Sequence, residues 1–438
     1  MNRPTGELSP AASADPKAEP APGEGASGSP APVDPAPEDL ETRLAQARAC
    51  AEAGDLPGAE RRYRELVAWA PADVRAYSNL GALELMQKRS AEALPWLERA
   101  AAMDPDHPRT QLNLGMALQL EGRTAEAIEA LEKAVRLDPQ LEAAWNNLGY
   151  TLTVNERPQE AMAAYQRALA LNPGFSMAAE NLSRLLADHS DPVAAEALLR
   201  SLPEPAITAT VQFTLGEMLR LQGRFAEARA AYEQALALAP EDADLRQGVG
   251  YALIGCGLAD EAVAALLPLP AMRPDDPVPL ALLALALQAI GEADQAIELA
   301  ETALAMDPEL VAPRNLLGVC HAIKGHHHLA IREFRAGLAV DPAQEELRCN
   351  LAASLRSQGY LAESIDEMDL LLEEKPESSH AFLVQLFNCS IGSERLAPRA
   401  LDLSRRYWEL VRQHPPSLVA ASAAPEAGLP GLSPGAGP

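Results

Sequence analysis

The stretch Glu142–Pro173 reads EAAWNNLGYTLTVNERPQEAMAAYQRALALNP, and its spacing decides the fold. Numbered from Glu142, Trp145 stands at position 4, Leu148 and Gly149 at 7 and 8, Ala161 at 20, Tyr165 at 24, Ala168 at 27 and Pro173 at 32. Trp145, Leu148 and Leu152 share one helical face, and Ala161, Tyr165 and Ala168 share another, so the stretch predicts a helix, a turn and a second helix. Gly149 and Ala161 remove bulk where two such helices cross, and Pro173 stops the second one.

Working outward, the pattern starts at Leu40, Val74, Pro108, Glu142 and Ser176 with a constant step of 34, and again at Ala209, Ala243, Pro277, Val311 and Glu345. The step between Ser176 and Ala209 is 33. Position 8 is Gly or Ala except for Ser183 in the fifth unit, and position 32 is Pro except for Ile207 in that same unit. The fifth unit carries Pro203 and Pro205 instead, which predicts a second helix over about 192–202 that is cut short. That break divides a block over 38–207 from one over 208–378. Beyond Pro376, the amphipathic segments Ser379 to Phe387 and Pro398 to Gln413 predict capping helices over 379–416, which hide the apolar face of the last repeat.

Ten such units resemble the tetratricopeptide repeat (TPR) signature. The resemblance implies an all-α, right-handed superhelical solenoid of about ten helix-turn-helix repeats. It also implies that each first helix lines a concave surface through positions 2, 5, 6, 9, 12 and 13. Position 6 holds Asn79, Asn113, Asn147 and Asn181 in four successive repeats, and Asn350 in the tenth. Arg75, Arg109, Leu112, Met116, Asn146 and Tyr150 stand at neighbouring groove positions. A carboxamide offers both a donor and an acceptor, so a ladder of them can pair with the backbone of an extended peptide without reading its sequence. The same residues can instead bond a neighbouring helix. In repeats seven and eight, Tyr251, Ile254, Ala281, Leu285 and Ala289 make the surface apolar, suited to an amphipathic helix or a second copy of the chain.

Two subtypes can be compared. Chaperone-adaptor TPR domains grip a terminal carboxylate with basic groove residues, whereas position 5 here holds Leu44, Ser78, Leu112 and Asn146, which disfavours that reading. The Asn ladder and the closing SSHAFLVQLFNCS…RRYWELVRQH resemble the TPR half of O-linked N-acetylglucosamine transferases. Only 62 residues follow Pro376, too few for a nucleotide-sugar domain, and no Gly-rich phosphate loop occurs. That resemblance therefore implies a substrate-recognition part acting with a separate catalytic chain.

Composition narrows the function classes. Lys and Arg number 36 against 62 Asp and Glu, giving a net −26 with no basic patch, so a nucleic-acid partner is not expected. Residues 1–37 contain nine prolines and, like 417–438, are expected to be disordered. The first residues lack a basic start and an apolar run, and Val278 to Ile290 is too short to cross a bilayer that needs about 20 apolar residues. A cytoplasmic protein without membrane insertion is the expectation. Cys50, Cys256, Cys320, Cys349 and Cys389 lie far apart and read as reduced thiols.

Candidate chemistry is sparse. Cys320, His321, His326, His327 and His328 are the one dense group of possible metal ligands. They lack acidic partners, and Gly325 reads as the turn between two helices, so no metal is assigned. His107, His189, His380 and His414 are isolated, and no nucleophile–base arrangement can be read. The sequence predicts no enzyme and no cofactor. It predicts a scaffold or adaptor that binds another protein as an extended peptide or amphipathic helix, with self-assembly as a further possibility.

Overall fold

The computed structural model describes residues 37–391 and 397–413. Among them every regular element is helical. The disorder expected for 1–37 and 417–438 concerns residues outside that range, except Pro37, which opens the first helix; His414 also lies outside it.

Packing divides the chain into two compact units, one ending at Met218 and the other beginning at Leu219. In the first unit, hairpins pair α1 (Pro37–Glu52) with α2 (Leu56–Trp69), α3 (Val74–Met86) with α4 (Ser90–Met103), α5 (Pro108–Leu120) with α6 (Thr124–Leu137), α7 (Glu142–Val154) with α8 (Pro158–Leu171), and α9 (Ser176–Asp188) with α10 (Pro192–Arg200). The unit boundary falls within α11 (Ala209–Leu221), whereas the repeat register puts its junction at 207/208. The second unit continues with α12 (Phe225–Leu238), α13 (Ala243–Gly255), α14 (Ala259–Leu266), α15 (Leu269–Met272), α16 (Val278–Ala289), α17 (Ala293–Met306), α18 (Val311–Ile323), α19 (His327–Val340), α20 (Glu345–Ser357), α21 (Leu361–Glu374), α22 (Ser379–Ile391) and α23 (Ala397–Gln413). First helices begin at or within three residues of the repeat starts read from sequence.

Four register positions explain the local geometry. At position 8, glycine lies against the large side chain at position 24: a Cβ would fall 2.4 Å from Leu97 at Gly81, 2.5 Å from Leu131 at Gly115, and 2.3 Å from Phe334 at Gly318. The bulk removed at Gly149 therefore makes room for Tyr165 specifically, while Ala161 is buried beside the same crossing. At position 15 the turn between helices takes a left-handed backbone. Glycine supplies it at Gly54, Gly122, Gly223, Gly257, Gly291, Gly325 and Gly359, but Lys88, Glu156 and Ser190 adopt it with φ of 59°, 57° and 66°. Where position 4 carries a side-chain donor, it can tie the first helix to the preceding proline, whereas Ala179 and Leu280 have none to offer. Trp145 donates from Nε1 to the Pro139 carbonyl at 3.1 Å, Gln111 from Nε2 to that of Pro105 at 2.8 Å, and Arg246, Arg314 and Arg348 reach Pro240, Pro308 and Pro342 in the same way. The donor varies; the acceptor does not.

At position 32 and just before it, prolines act in two ways. Pro203 is extended (φ −66°, ψ 149°), so α10 ends at Arg200 and a short 3₁₀ turn, Glu204–Ala206, follows. Pro268, which the sequence reading passed over, keeps helical angles (φ −74°, ψ −19°), and with Pro270 two residues further on it withholds N–H groups where α14 gives way to α15. At the far end of the second unit, Phe382 of α22 and Leu403 of α23 pack into one cluster with Ala352, Met368 and Leu371, covering the apolar side of the tenth repeat. Ser379 stands 34 residues after Glu345, so α22 keeps the repeat register.

Candidate partner-binding groove

In the first unit, α3, α5, α7 and α9 pack side by side, which aligns equal register positions from one repeat to the next. Position 8 faces the second helix, so positions 5, 6 and 9 turn toward neighbouring first helices or the open side. The expected site residues fall into two sets. Asn79, Arg109 and Tyr150 are half-buried, while Asn113, Asn146 and Asn147 are 3%, 0% and 0% exposed, and Arg75, Met116 and Asn181 are also buried. Burial pushes the Tyr150 phenol above its ordinary pKa.

Several of these groups are already engaged. Arg75 donates to Asp73 through Nε (2.8 Å to Oδ1) and Nη2 (2.6 Å to Oδ2), and to Glu41 Oε1 through Nη1 (2.8 Å). Asn181 Nδ2 donates to Asn146 Oδ1 at 3.2 Å, and in the second unit Asn350 Nδ2 donates to Asn315 Oδ1 at 2.9 Å. Both are the same relation: position 6 of one repeat bonds position 5 of the repeat before.

The rest of the ladder is unanswered. Among the described residues, Asn147 has no hydrogen-bond partner for Nδ2 or Oδ1, and none is present for Asn79 Nδ2, Asn113 Oδ1 or Asn146 Nδ2. A buried amide group without a partner costs about 1–3 kcal/mol, so four such residues on three adjacent helices are an expense the fold does not recover internally.

One lining feature escaped the sequence reading. Position 13 holds Met86, Leu120 and Val154, which are 42%, 49% and 45% exposed. Reading position 13 at the same step of 34 that revealed the asparagines would have found them. In the second unit, Tyr251 and Ala289 are exposed and Ile254, Ala281 and Leu285 half-buried, so the apolar surface expected there is open.

The histidines sit at one hairpin, with ring centroids 6.4 Å apart for His321 and His326 and 6.5 Å for His326 and His328. Cys320 is buried, which raises its thiol pKa, and burial lowers that of His321. Among the described residues, no group of three or more His, Cys, Asp or Glu side chains is arranged to hold a metal ion, and no helix is long and apolar enough to cross a membrane.

Models of the tetratricopeptide repeat match residues 40–65, 72–140, 112–175, 219–286 and 282–331, together more than half of the chain. Repeat five lies outside these matches. No curated protein matches the sequence. Among solved structures, a tetratricopeptide repeat protein from Parabacteroides merdae is similar at 17% identity over 57% of this chain and 99% of its own, with a TM-score of 0.46. Yeast Tom70 is similar at 13% identity over 88% and 99%, with a TM-score of 0.43. PilF of Pseudomonas aeruginosa is similar at 19% identity over 46% and 93%, with a TM-score of 0.41. At these identities the likeness concerns the repeat fold alone.

Proposed function

Since the chain belongs to the tetratricopeptide repeat family, we propose that it is a protein–protein interaction scaffold whose first unit holds an extended segment of a partner protein along α3, α5, α7 and α9. The observation that carries this reading is the set of carboxamide atoms on Asn79, Asn113, Asn146 and Asn147 that no group among the described residues satisfies. Side-by-side helices stand about 8–10 Å apart, so successive rungs meet an extended chain about every third residue. The unpaired atoms are closed to solvent in the isolated chain, so docking requires these side chains to turn outward as the partner arrives; an Asn can then answer either backbone group, N–H or C=O. Half-buried Asn79, Arg109 and Tyr150 form the accessible rim, and Met86, Leu120 and Val154 supply apolar contact beside it.

The test is capture of proteins from native lysate by the full-length chain, run beside the Asn113→Leu/Asn147→Leu variant. The reading expects a protein captured by the natural chain and lost with the variant. Equal capture by both would remove the ladder from the binding surface.

A further inference from the structure

Position 9 of the first helices in the second unit holds Tyr251, Leu285, Val319 and Ala353, an apolar residue at each step of 34. Tyr251 is 65% exposed and the other three are half-buried. The helices that carry them, α13, α16, α18 and α20, pack successively against one another. Position 8 of these repeats is closed against the second helix, as at Gly250 on Leu266 and Gly318 on Phe334. Position 9 lies about 100° further round, on the side left open. Ile323, 67% exposed at position 13 of α18, widens the same apolar floor.

A second periodicity runs beside the first. Position 33, in the loop leading into each first helix, is Glu241, Asp275 and Glu309, so each of the first three rungs is preceded ten residues earlier by a carboxylate. All three are exposed, and none forms an ion pair among the described residues. Because the first helices lie side by side, their leading loops form one edge of the surface, about 12 Å from the rungs along the helices. Over 219–378 there are 12 Lys and Arg against 26 Asp and Glu, a net −14. Two cations stand near these positions in sequence: Lys324, beside Ile323, is paired with Asp294, and Arg356 is stacked 4.6 Å over the Phe387 ring.

We infer that this face of the second unit is a docking surface for a cationic amphipathic helix of a partner protein. An interaxial spacing of about 10 Å matches two turns of an α-helix, so residues at i, i+7 and i+14 on one helical face meet successive rungs. An extended chain advances about three residues over the same distance, and its side chains alternate, so successive apolar residues would point to opposite sides. Four rungs span about 30 Å, the length of about 20 helical residues. Lys and Arg on the flank of that helix would then lie against Glu241, Asp275 and Glu309. This inference rests on the scaffold reading but on different residues, so the two can fail separately.

The experiment measures fluorescence anisotropy of a labelled amphipathic peptide of about 20 residues, Leu on one face and Lys on the other, titrated with the full-length protein. Two control peptides replace Lys by Glu or scramble the order of the Lys version. Saturable binding of the Lys peptide, weakened about tenfold or more by either control, by Tyr251→Ser, and by Glu241→Gln/Asp275→Asn/Glu309→Gln, is the expected result. Asn113→Leu/Asn147→Leu should leave it unchanged. Equal binding of the scrambled or Glu peptide, no binding at all, binding indifferent to those substitutions, or a dimer seen by light scattering that the peptide disrupts would each overturn the inference.

Discussion

Gly149 lies flush against the ring of Tyr165 where α7 crosses α8: a Cβ on the glycine would fall 2.7 Å from Tyr165 Cε1. That contact is closer than a methyl group tolerates, and Tyr165 is fully enclosed, so the ring cannot swing away. Gly149→Ala is therefore expected to cost about 1–3 kcal/mol, read as a lowered denaturation midpoint. Repeat eight carries Ala284 and Ala300, both buried, at the two corresponding positions. The pair should accordingly couple: Gly149→Ala/Tyr165→Ala should lose less than the sum of the single variants. Strict additivity would show that the crossing is set elsewhere.

The turn at position 15 offers the opposite change. Lys88, Glu156 and Ser190 hold φ near +60°, where a side chain is strained and where seven other repeats use glycine. The backbone bonds are already those of a glycine-type helix end: Glu156 N donates to Thr153 O and Arg157 N to Leu152 O. Glu156→Gly should raise stability by about 0.5–1 kcal/mol, less than the full relief of strain because glycine also loosens the unfolded chain. Calorimetric melting of the single variant checks this, and a lower melting temperature would contradict it.

Alkaline stability follows from two buried phenols. Burial pushes Tyr63 from its ordinary 10.0 to about 12, and burial also raises Tyr165. A folded-state pKa above the unfolded one means that the contribution is complete below the unfolded value, here 10.0, and disappears as pH rises through about 12. Urea titrations across that window should show a steep fall in midpoint for the natural protein. Tyr63→Phe should flatten it, and an unchanged slope would assign the alkaline loss to other groups.

What was legible in the sequence is what repeats. The step of 34, the small residue at position 8 and the proline at position 32 recur in all but the fifth hairpin, and they placed the first helices to within three residues. The cut helix of repeat five was legible because Pro203 and Pro205 stand together. Pro268 and Pro270 repeat the spacing of Pro203 and Pro205, yet Pro268 keeps helical angles where Pro203 is extended, a difference that the spacing of the prolines does not encode. The left-handed turns at Lys88 and Glu156 carry no residue signal at all; the adjoining helices impose them. For the groove, the register of the asparagines could be read, but their bonding could not. Whether Asn181 meets Asn146 depends on how two helices 35 residues apart in sequence settle against each other.

That difference between answered and unanswered carboxamides is the centre of the functional account. An asparagine that serves the fold loses stability when replaced, whereas one held for a partner is a burden to the isolated chain. The most direct measurement is the thermal unfolding midpoint of Asn113→Leu/Asn147→Leu against the natural protein, without partner. The account predicts a midpoint that is unchanged or higher. A fall of more than about 3 °C, the shift that about 1 kcal/mol produces in a domain of this size, would show that the ladder belongs to the core and contradict the groove.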